Sequence, residues 1–598
     1  MGEEPVLKCG IEIHQRLDTG KLFCRCPSTL AEVDEPDRKI IRNLRASESE
    51  MGELDRAARL EQEKQLDFEY DVFKKDCCLV EEDEEPPHPI DNEALLLVLG
   101  ICTQLNMRIV DQIHVMRKIV VDGSNTSGFQ RTALVATHGF LETSEGKVGI
   151  DTVAVEEESA GIIETKKDGT KQYRLDRLGI PLIELATSPD IVSGAHCKEV
   201  AEKIGMILRA SGKAARGLGT IRQDVNISIP KGARVEIKGV QDLKLIPKIV
   251  EIEVNRQKAL LEILEKLREV PAEENPHIVD LSSIFSNTNS SFINRGLVAG
   301  QRVMGFVLAG HAGILGVEIQ PGKRYGTELA DYAKTAGLKG IIHSDEDLSK
   351  YGINQEEITK IQVNLDAGEK DAFVIVLAEE GQARMALARV AERAALREIP
   401  GQTRKVNQDG TTMYMRPLPG KARMYPETDI HALNVTESIL EAAKKEAGEG
   451  LEAKQKKLEE LLNPEMAKRM LKSRHSKIFE KLVKMGVEPM LAATTLEDTI
   501  VALRREGVEI KDLEKTMEDL FSHYLNGEFV KSAIIEILPE LAEGIPLEEV
   551  LKSRQLHKIG GEELKKLILE HNKNMGEIMK NYRLRVDAKE VKQMMQTL

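Results

Sequence analysis

The first strong pattern along the chain is an alternation. In GIEIHQRLDTGKLFCRC, Gly10 to Cys26, the spacing carries Ile11, Ile13 and Gln15 to one face and Glu12 and His14 to the other, which predicts a half-buried β-strand. From Val6 to about Arg268 such short strands mix with charged, glycine-punctuated loops. Leu and Ile then recur at helical spacing from Ile246 to Leu267, predicting a long amphipathic helix that closes this part. PAEENPH follows, with two prolines, charge and no periodicity, and reads as a linker.

Beyond the linker the pattern changes. GLVAGQRVMGFVLAGHAGILG and DAFVIVLAEE are apolar, β-branched runs set between helical stretches such as GTELADYAKTAGLKG and GQARMALARVAERAALREI. They predict a compact α+β module from about Asp280 to Arg397, ending at EIPGQT. Strand-and-turn text resumes from Gln402 to Val435, and from Glu437 onward almost every segment reads as helix. Pro464 and Pro489 mark helix boundaries, and Thr495 reads as an N-cap with Asp498 in the turn after it. The fold class expected is α+β and multidomain, divided as 1–275, 276–400, 401–436, 437–545 and 546–598, the last two all-α.

Composition narrows the classes. The 598 residues are 41% hydrophobic and 31% charged, with a formal net charge of −15, which describes a soluble chain and not a membrane one. No apolar run reaches the roughly 18 residues of a spanning helix, and Met1 to Pro5 lacks a secretion signal, so a cytoplasmic location is expected. The acidic total argues against sequence-independent polyanion binding, yet the stretch from Leu551 to Leu598 is basic in excess. Seven cysteines, an odd number, argue against a disulfide framework. Cys24, Cys26, Cys77 and Cys78 could hold a structural Zn²⁺, but adjacent Cys77 and Cys78 are awkward for chelating one ion, so buried free thiols are expected. Cys9, Cys102 and Cys197 read as core fillers.

Acids recur in separate strand-like segments: Glu12 with His14, the run Glu156 to Glu158, Glu184, Asp224 with Asn226, and Glu236 with Lys238. For any single acid the solvated face of an antiparallel sheet is the simpler reading. Gathered in one sheet, they would form an anionic floor, which needs cations because close carboxylates raise one another's pKa. Hard oxygens with one imidazole suit Mg²⁺ or Mn²⁺ serving phosphates. Phosphoryl transfer is then a candidate reaction, with Lys238 or Arg177 stabilising the charge that develops. The GxxxxGK[ST] phosphate loop is missing; GVEIQPGKRY has the wrong spacing and reads as a turn. There is no kinase-type glycine loop with its partner motifs, no GxSxG and no HExxH. DGSNTSG, before the apolar run that ends at Gly139, reads either as a hairpin turn or as a polar loop that binds an anion or an amide.

Six segments in order carry a resemblance: GIEIHQRLDTGKLFCRCPS, VEEESAG, LDRLGIPLIELATSPDI, IRQDVNISI, RVEIKGVQDLKLIPKIVEIEVNRQ and MYPETDI. Over essentially the whole chain the sequence resembles the B/E-type transamidase family of aminoacyl-tRNA amidotransferases. The module between the last two segments is similar to the insertion domain of bacterial-type aspartyl-tRNA synthetases. The resemblance therefore implies a β-rich catalytic cradle over 1–275, an inserted α+β module over 276–400, a cradle return over 401–436, a helical domain over 437–545 and a basic tail domain over 546–598.

The activity implied is ATP-dependent phosphorylation of the γ-carboxylate of glutamate esterified to tRNA(Gln), followed by attack of ammonia to give glutaminyl-tRNA(Gln). Glu12, His14, Glu156 and Glu184 are implied as Mg²⁺ ligands, with Asp224 and Glu236 completing the acidic site. Arg177, Asn226 and Lys238 are the phosphate or substrate contacts expected. The run Glu156 to Glu158 is one acid longer than the family pattern, which leaves open which of the three ligates. The chain lacks a Ser-Ser-Lys amidase pattern and a Cys-His glutaminase motif. The resemblance implies an asparaginase-like D-type partner as the ammonia source, in a heterotetramer of two D and two E subunits, with Gly123 to Gln130 as a candidate tunnel mouth. The basic tail would meet the outer elbow of the tRNA. Two other readings stand beside this one: a non-catalytic tRNA-binding scaffold, and an ATP-dependent carboxylate–amine ligase acting on a small molecule.

Overall fold

A computed structural model of the chain describes residues 7–30, 35–45, 52, 58, 59, 62, 66–166, 169–217, 219–273, 275–418, 424–447 and 450–598. Glu274 of the linker, residues 419–423 of the strand-rich segment and the join at 448–449 lie outside the described residues.

The alternation of the first half folds into strands. β1 (Lys8–Arg16) sits inside an eleven-stranded sheet with β2 (Val115–Ile119), β3 (Phe129–Thr143), β4 (Gly146–Glu157), β5 (Pro181–Thr187), β6 (Ile221–Ser228), β7 (Val235–Lys238), β8 (Gln402–Val406), β9 (Thr412–Pro417) and β10 (Met424–Pro426). Their order is β9-β8-β7-β6-β1-β5-β4-β3-β2-β10, and Arg108–Ile109 pairs off β3. These neighbours are antiparallel except β7 and β8, which run parallel. A parallel pair needs a crossover. Here the crossover is the whole stretch from Gly239 to Gly401.

The apolar face of β1 is the floor of the core. Ile11 and Ile13 are buried, and Cys9 on the same face meets Cys197 of the helix Gly194–Ala210 at 3.7 Å. Cys102 is likewise buried, so these three thiols fill core as expected. The opposite face of β1 carries Glu12, His14 and Arg16.

The crossover begins with the predicted long helix, Ile246–Lys266, and then builds its own four-stranded sheet, ordered Val279–Asp280, Arg302–Leu308, Ala372–Ala378, Ile342–His343. The helices Tyr325–Lys334 and Glu380–Ala395 belong to the same module. Met304, Phe306, Val374 and Val376 from the two apolar runs pack against Leu387 and Val390. GVEIQPGKRY makes the expected turn, between Glu318–Gln320 and Lys323–Arg324. Glu328 ties the module to the large sheet. It receives Arg256 of the long helix at 3.0 Å, Arg404 of β8 at 3.0 Å and Arg393 at 3.4 Å, and all four side chains are buried.

The chain divides into two compact units, residues 1–448 and 449–598. The helix Glu437–Ala447 packs on Asn92–Gln104 within the first. The second is all helix in its regular structure, with one apolar core from Leu462 to Leu556 and another from Ile559 to Val591. Pro464 and Pro489 each open a helix, as predicted. Thr495 does not cap one. Pro489–Thr494 runs through a π-turn, Thr495–Thr499, into Ile500–Arg505, and the Thr495 hydroxyl donates back to the Leu491 carbonyl at 2.8 Å. With its hydroxyl satisfied one turn behind, Thr495 sits inside a continuous helix. No helix among the described residues is long and apolar enough to cross a membrane.

Candidate active site

Strand register gathers the acids that the sequence scatters. Glu12 stands opposite Asp224 on β6, and His14 lies between Glu184 on β5 and Arg222 on β6. His14 Nε2 is 3.2 Å from Glu184 Oε2 and 3.4 Å from Glu12 Oε1. At one end Lys118 of β2 reaches Glu156 at 2.7 Å and Glu184 at 3.2 Å. At the other, Lys238 lies 2.5 Å from Asp224 and 2.6 Å from Glu236, whose second oxygen accepts from the Thr403 hydroxyl at 3.0 Å. Asn226 is beside Glu236 in the register. The carboxylates of Glu12, Glu156, Glu184, Asp224 and Glu236 thus form one row, closed at its ends by Lys118 and Lys238.

That row has too many acids for its cations, and the proton affinities respond. Burial, then the charge of Glu184, pushes Glu12 up to about 7. Burial opposes the charge on His14, but Glu184 and Glu12 outweigh it and lift His14 to about 9. Glu156 is raised by its burial and by Glu184. Burial also works against Glu184, yet Lys118 and His14 hold it well below the usual carboxylate range. Without a divalent cation, then, the row stores protons. Donor atoms of Glu12, His14 and Glu184 lie within 4.8 Å of one another. Carboxylate oxygens with one imidazole fit Mg²⁺ or Mn²⁺.

The triple acid divides by its strand parity. Glu156 faces the row, while Glu157 turns to the other side, where its carboxylate accepts from the Arg131 amide at 2.8 Å. Glu158 returns to the first side but meets arginines instead of the row. Its oxygens accept from Arg222 at 2.9 and 3.1 Å, and Arg16 Nε is 3.4 Å away. Of the three, Glu156 is the acid beside Glu184. Arg177 is not in the row either. It donates to the carbonyls of Ser159 at 2.8 Å and Ala160 at 2.7 Å, next to Glu158.

Of the four clustered thiols, Cys24 and Cys77 are buried and Cys26 and Cys78 half-buried. Sulfurs of Cys24, Cys26 and Cys78 converge with a carboxylate oxygen of Glu81, all within 4.8 Å of one another. Cys77 points away into a core with Phe68, Tyr70 and Tyr173. Adjacent residues need not chelate together; here only one of the two joins the cluster, and Glu81, three residues on, takes the fourth position. The Cys24 thiol donates to Glu81 at 2.8 Å, and hydrogen bonds from Cys24 and Cys78 bring Cys26 down to about 4. The loop Gly123 to Gln130 borders a small polar cavity lined by Asn125, Thr126, Arg131, Glu81 and Glu157. Asn125 Nδ2 is buried there without an acceptor.

The structure adds Lys118, Arg16, Arg222 and Glu81 to the residues that the sequence singles out. Arg16 continues the Glu12–His14 alternation, a signal the sequence does offer; Lys118 reaches the row only through the pairing of β2 with β3.

Comparison with known proteins shows the family. The family model described as the GatB/GatE catalytic domain matches residues 7–441. Proteins named as the E subunit of glutamyl-tRNA(Gln) amidotransferase match nearly the full length. The one from Methanocaldococcus jannaschii is 48% identical over 95% of this chain and 91% of its own. Those from Methanosarcina acetivorans and Archaeoglobus fulgidus are 45% and 46% identical, each over 98% of this chain and 96% of theirs. By the matched catalytic domain, and by identity along nearly its whole length, the chain belongs to the GatB/GatE family, among the glutamyl-tRNA(Gln) amidotransferase E subunits.

Proposed function

We propose that this chain carries out the ATP-dependent half of a tRNA-dependent amidation: phosphorylation of the γ-carboxylate of glutamyl-tRNA(Gln), then amidation by ammonia to glutaminyl-tRNA(Gln). The observation that carries this reading is the acid row on neighbouring strands, bracketed by Lys118 and Lys238. A carboxylate is a poor electrophile, because its charge repels a nucleophile and an oxide would have to leave. Acyl phosphate formation removes both obstacles.

Glu12, His14 and Glu184, with Glu156 beside them, would hold Mg²⁺. A bound Mg²⁺ supplies positive charge to transferring phosphoryl oxygens. Lys118 keeps Glu184 ionised, and Asp224 and Glu236 hold the Lys238 ammonium at the far end, where it can meet phosphate or the substrate carboxylate. Asn226 offers an amide beside it, and Arg177 a contact for phosphate. Cys24, Cys26, Cys78 and Glu81 supply three sulfurs and an oxygen for a structural Zn²⁺, which such donors favour.

Ammonia would come from an asparaginase-like D-type partner, in a heterotetramer of two D and two E subunits. The polar cavity at Gly123 to Gln130 offers hydrogen-bonding groups to an uncharged amine. Sequestration matters because free ammonia is mostly ammonium near neutral pH and cannot attack. The divisions proposed are a catalytic cradle over 1–275 and 401–436, an aspartyl-tRNA synthetase-like module over 276–400, a helical domain over 437–545 and a basic tail over 546–598 that meets tRNA. A cytoplasmic location fits a translation enzyme.

The test supplies ammonium directly, without the partner protein. Purified chain, ATP and Mg²⁺ should convert glutamyl-tRNA(Gln) to glutaminyl-tRNA(Gln), and leaving out ATP or chelating the cation should stop it. Conversion that continues without ATP would refute the reading.

A further inference from the structure

Beside the converging sulfurs stands a lysine that phosphoryl transfer does not use. Lys21 is fully buried, and its Nζ lies 3.3 Å from Glu81 Oε1 without a hydrogen bond to any described residue. Its place is fixed by the segment that carries two of the sulfurs. Gly20 bridges to Pro27, and the Lys21 amide donates to the Cys26 carbonyl at 3.1 Å, which closes a tight loop around Cys24 and Cys26. Burial works against the charge of Lys21, while Glu81 and the sulfurs of Cys77, Cys24 and Cys26 favour it. Glu81 alone is a poor match for a buried ammonium, because both its oxygens already accept hydrogen bonds. Oε1 takes one from the Cys24 thiol and Oε2 one from the Cys78 amide, each at 2.8 Å.

A buried ammonium is costly unless anions face it, and a buried excess of anions is costly unless a cation does. The cysteines that ligate a metal do so as thiolates. Three thiolates and the Glu81 carboxylate around one divalent ion leave two negative charges in excess. An ammonium against Glu81 offsets one of them. We propose that Lys21 is the counter-charge of a Zn²⁺ centre formed by Cys24, Cys26, Cys78 and Glu81, and that it raises the affinity of that centre for the metal. Groups behind metal ligands orient them and tune the charge around the ion. Lys21 is placed to do both, since it faces Oε1 of Glu81, the oxygen that also accepts from Cys24. Cys78 and Glu81 come from a stretch more than fifty residues along the chain, so the lysine also bridges the two segments that supply the donors. The inference rests on the structural-zinc proposal above and is independent of phosphoryl transfer.

Competition against a chromophoric chelator tests it by giving the Zn²⁺ affinity of the full-length chain, with denaturant unfolding, metal-stripped and Zn²⁺-loaded, as a second readout. Lys21→Met keeps the length and the apolar stem and removes the charge. It should bind Zn²⁺ about tenfold to a hundredfold more weakly than wild type, the loss expected when a group behind a metal ligand is removed. The rise in unfolding midpoint that Zn²⁺ gives should shrink accordingly. Lys21→Gln, also uncharged, carries the same expectation and serves if Lys21→Met does not fold. Lys21→Arg keeps the charge and should hold Zn²⁺ more tightly than either. Equal Zn²⁺ affinity in wild type and the uncharged variants would overturn the assignment while leaving the zinc centre standing. Stability lowered by the same amount with and without Zn²⁺ would also overturn it, making Lys21 a structural partner of Glu81 alone. A wild-type chain that takes up no Zn²⁺ would bring down the zinc proposal as well.

Discussion

Glu12 and His14 can be picked out from the alternation alone, but their partners cannot. Glu184 lies 170 residues from His14 in sequence and meets it only through the pairing of β1 with β5. Glu156 is one of three adjacent candidates, and the parity of β4 separates it from Glu157, while the arginines claim Glu158. The same dependence on register hides Lys118. These residues set how the site answers to pH. In the cation-free protein Glu12 holds its proton up to about pH 7 and His14 to about pH 9. A ligating carboxylate or imidazole must be deprotonated, so cation and proton compete. Mg²⁺ affinity should therefore rise steadily between about pH 6 and pH 9, at roughly up to tenfold per pH unit for each proton displaced. Calorimetric titration in buffers of different ionisation enthalpy should detect protons released on binding. Affinity flat across that range would mean that the cation binds elsewhere.

Among the elements, those with long clean periodicity are the legible ones: β1, the helix Ile246–Lys266 and the helices after Glu437. The start of the helix through Thr495 is not legible, because a hydroxyl that bonds one turn back leaves the same sequence as one that caps. Nor does the sequence tell how MYPETDI joins the sheet. Glu427, just after β10, accepts from Arg117 of β2 at 2.5 Å and from Arg131 of β3 at 2.8 Å. Burial alone would raise its pKa, yet these arginines and the Asp429 amide hold it at about 2, against 4.5 for an ordinary glutamate. A depressed folded-state pKa contributes stability that is complete above about pH 4.5 and is lost as the pH falls toward about 2. Glu427→Gln should therefore melt below wild type at about pH 7, and the gap should narrow as the pH drops below about 4.5. A gap constant from about pH 7 to about pH 3 would remove this ion cluster as a source of stability. Glu328 gives a stronger case, because its removal leaves Arg256, Arg393 and Arg404 buried together. Glu328→Gln should cost about 3–5 kcal/mol in denaturant unfolding of the first unit. A loss below about 1 kcal/mol would show that the module is held by its apolar contacts alone.

For the molecule as a whole, one topological fact organises the catalytic half. β7 and β8 are neighbours in the sheet, yet a complete α+β module lies between them in sequence. The pattern changes at PAEENPH and again at EIPGQT, on either side of the module's own sheet, while the core of that module also takes Leu260, Ile263 and Leu267 from the long helix before it. The border within the helical half is less visible. The core that starts at Leu462 continues to Leu556, and the next begins at Ile559, so the apolar spacing changes later than the basic composition does. The site itself belongs to neither helices nor module. It lies on one face of the large sheet, and the central claim is that this face performs phosphoryl transfer. The most direct measurement follows labelled γ-phosphate from ATP, with Mg²⁺, ammonium and glutamyl-tRNA(Gln), in wild type, His14→Ala and Glu184→Ala. If the claim holds, wild type releases phosphate together with glutaminyl-tRNA(Gln), whereas both variants bind tRNA as wild type does and transfer no phosphate. Variants that turn over at the wild-type rate would make the acids a solvated sheet face and contradict the site.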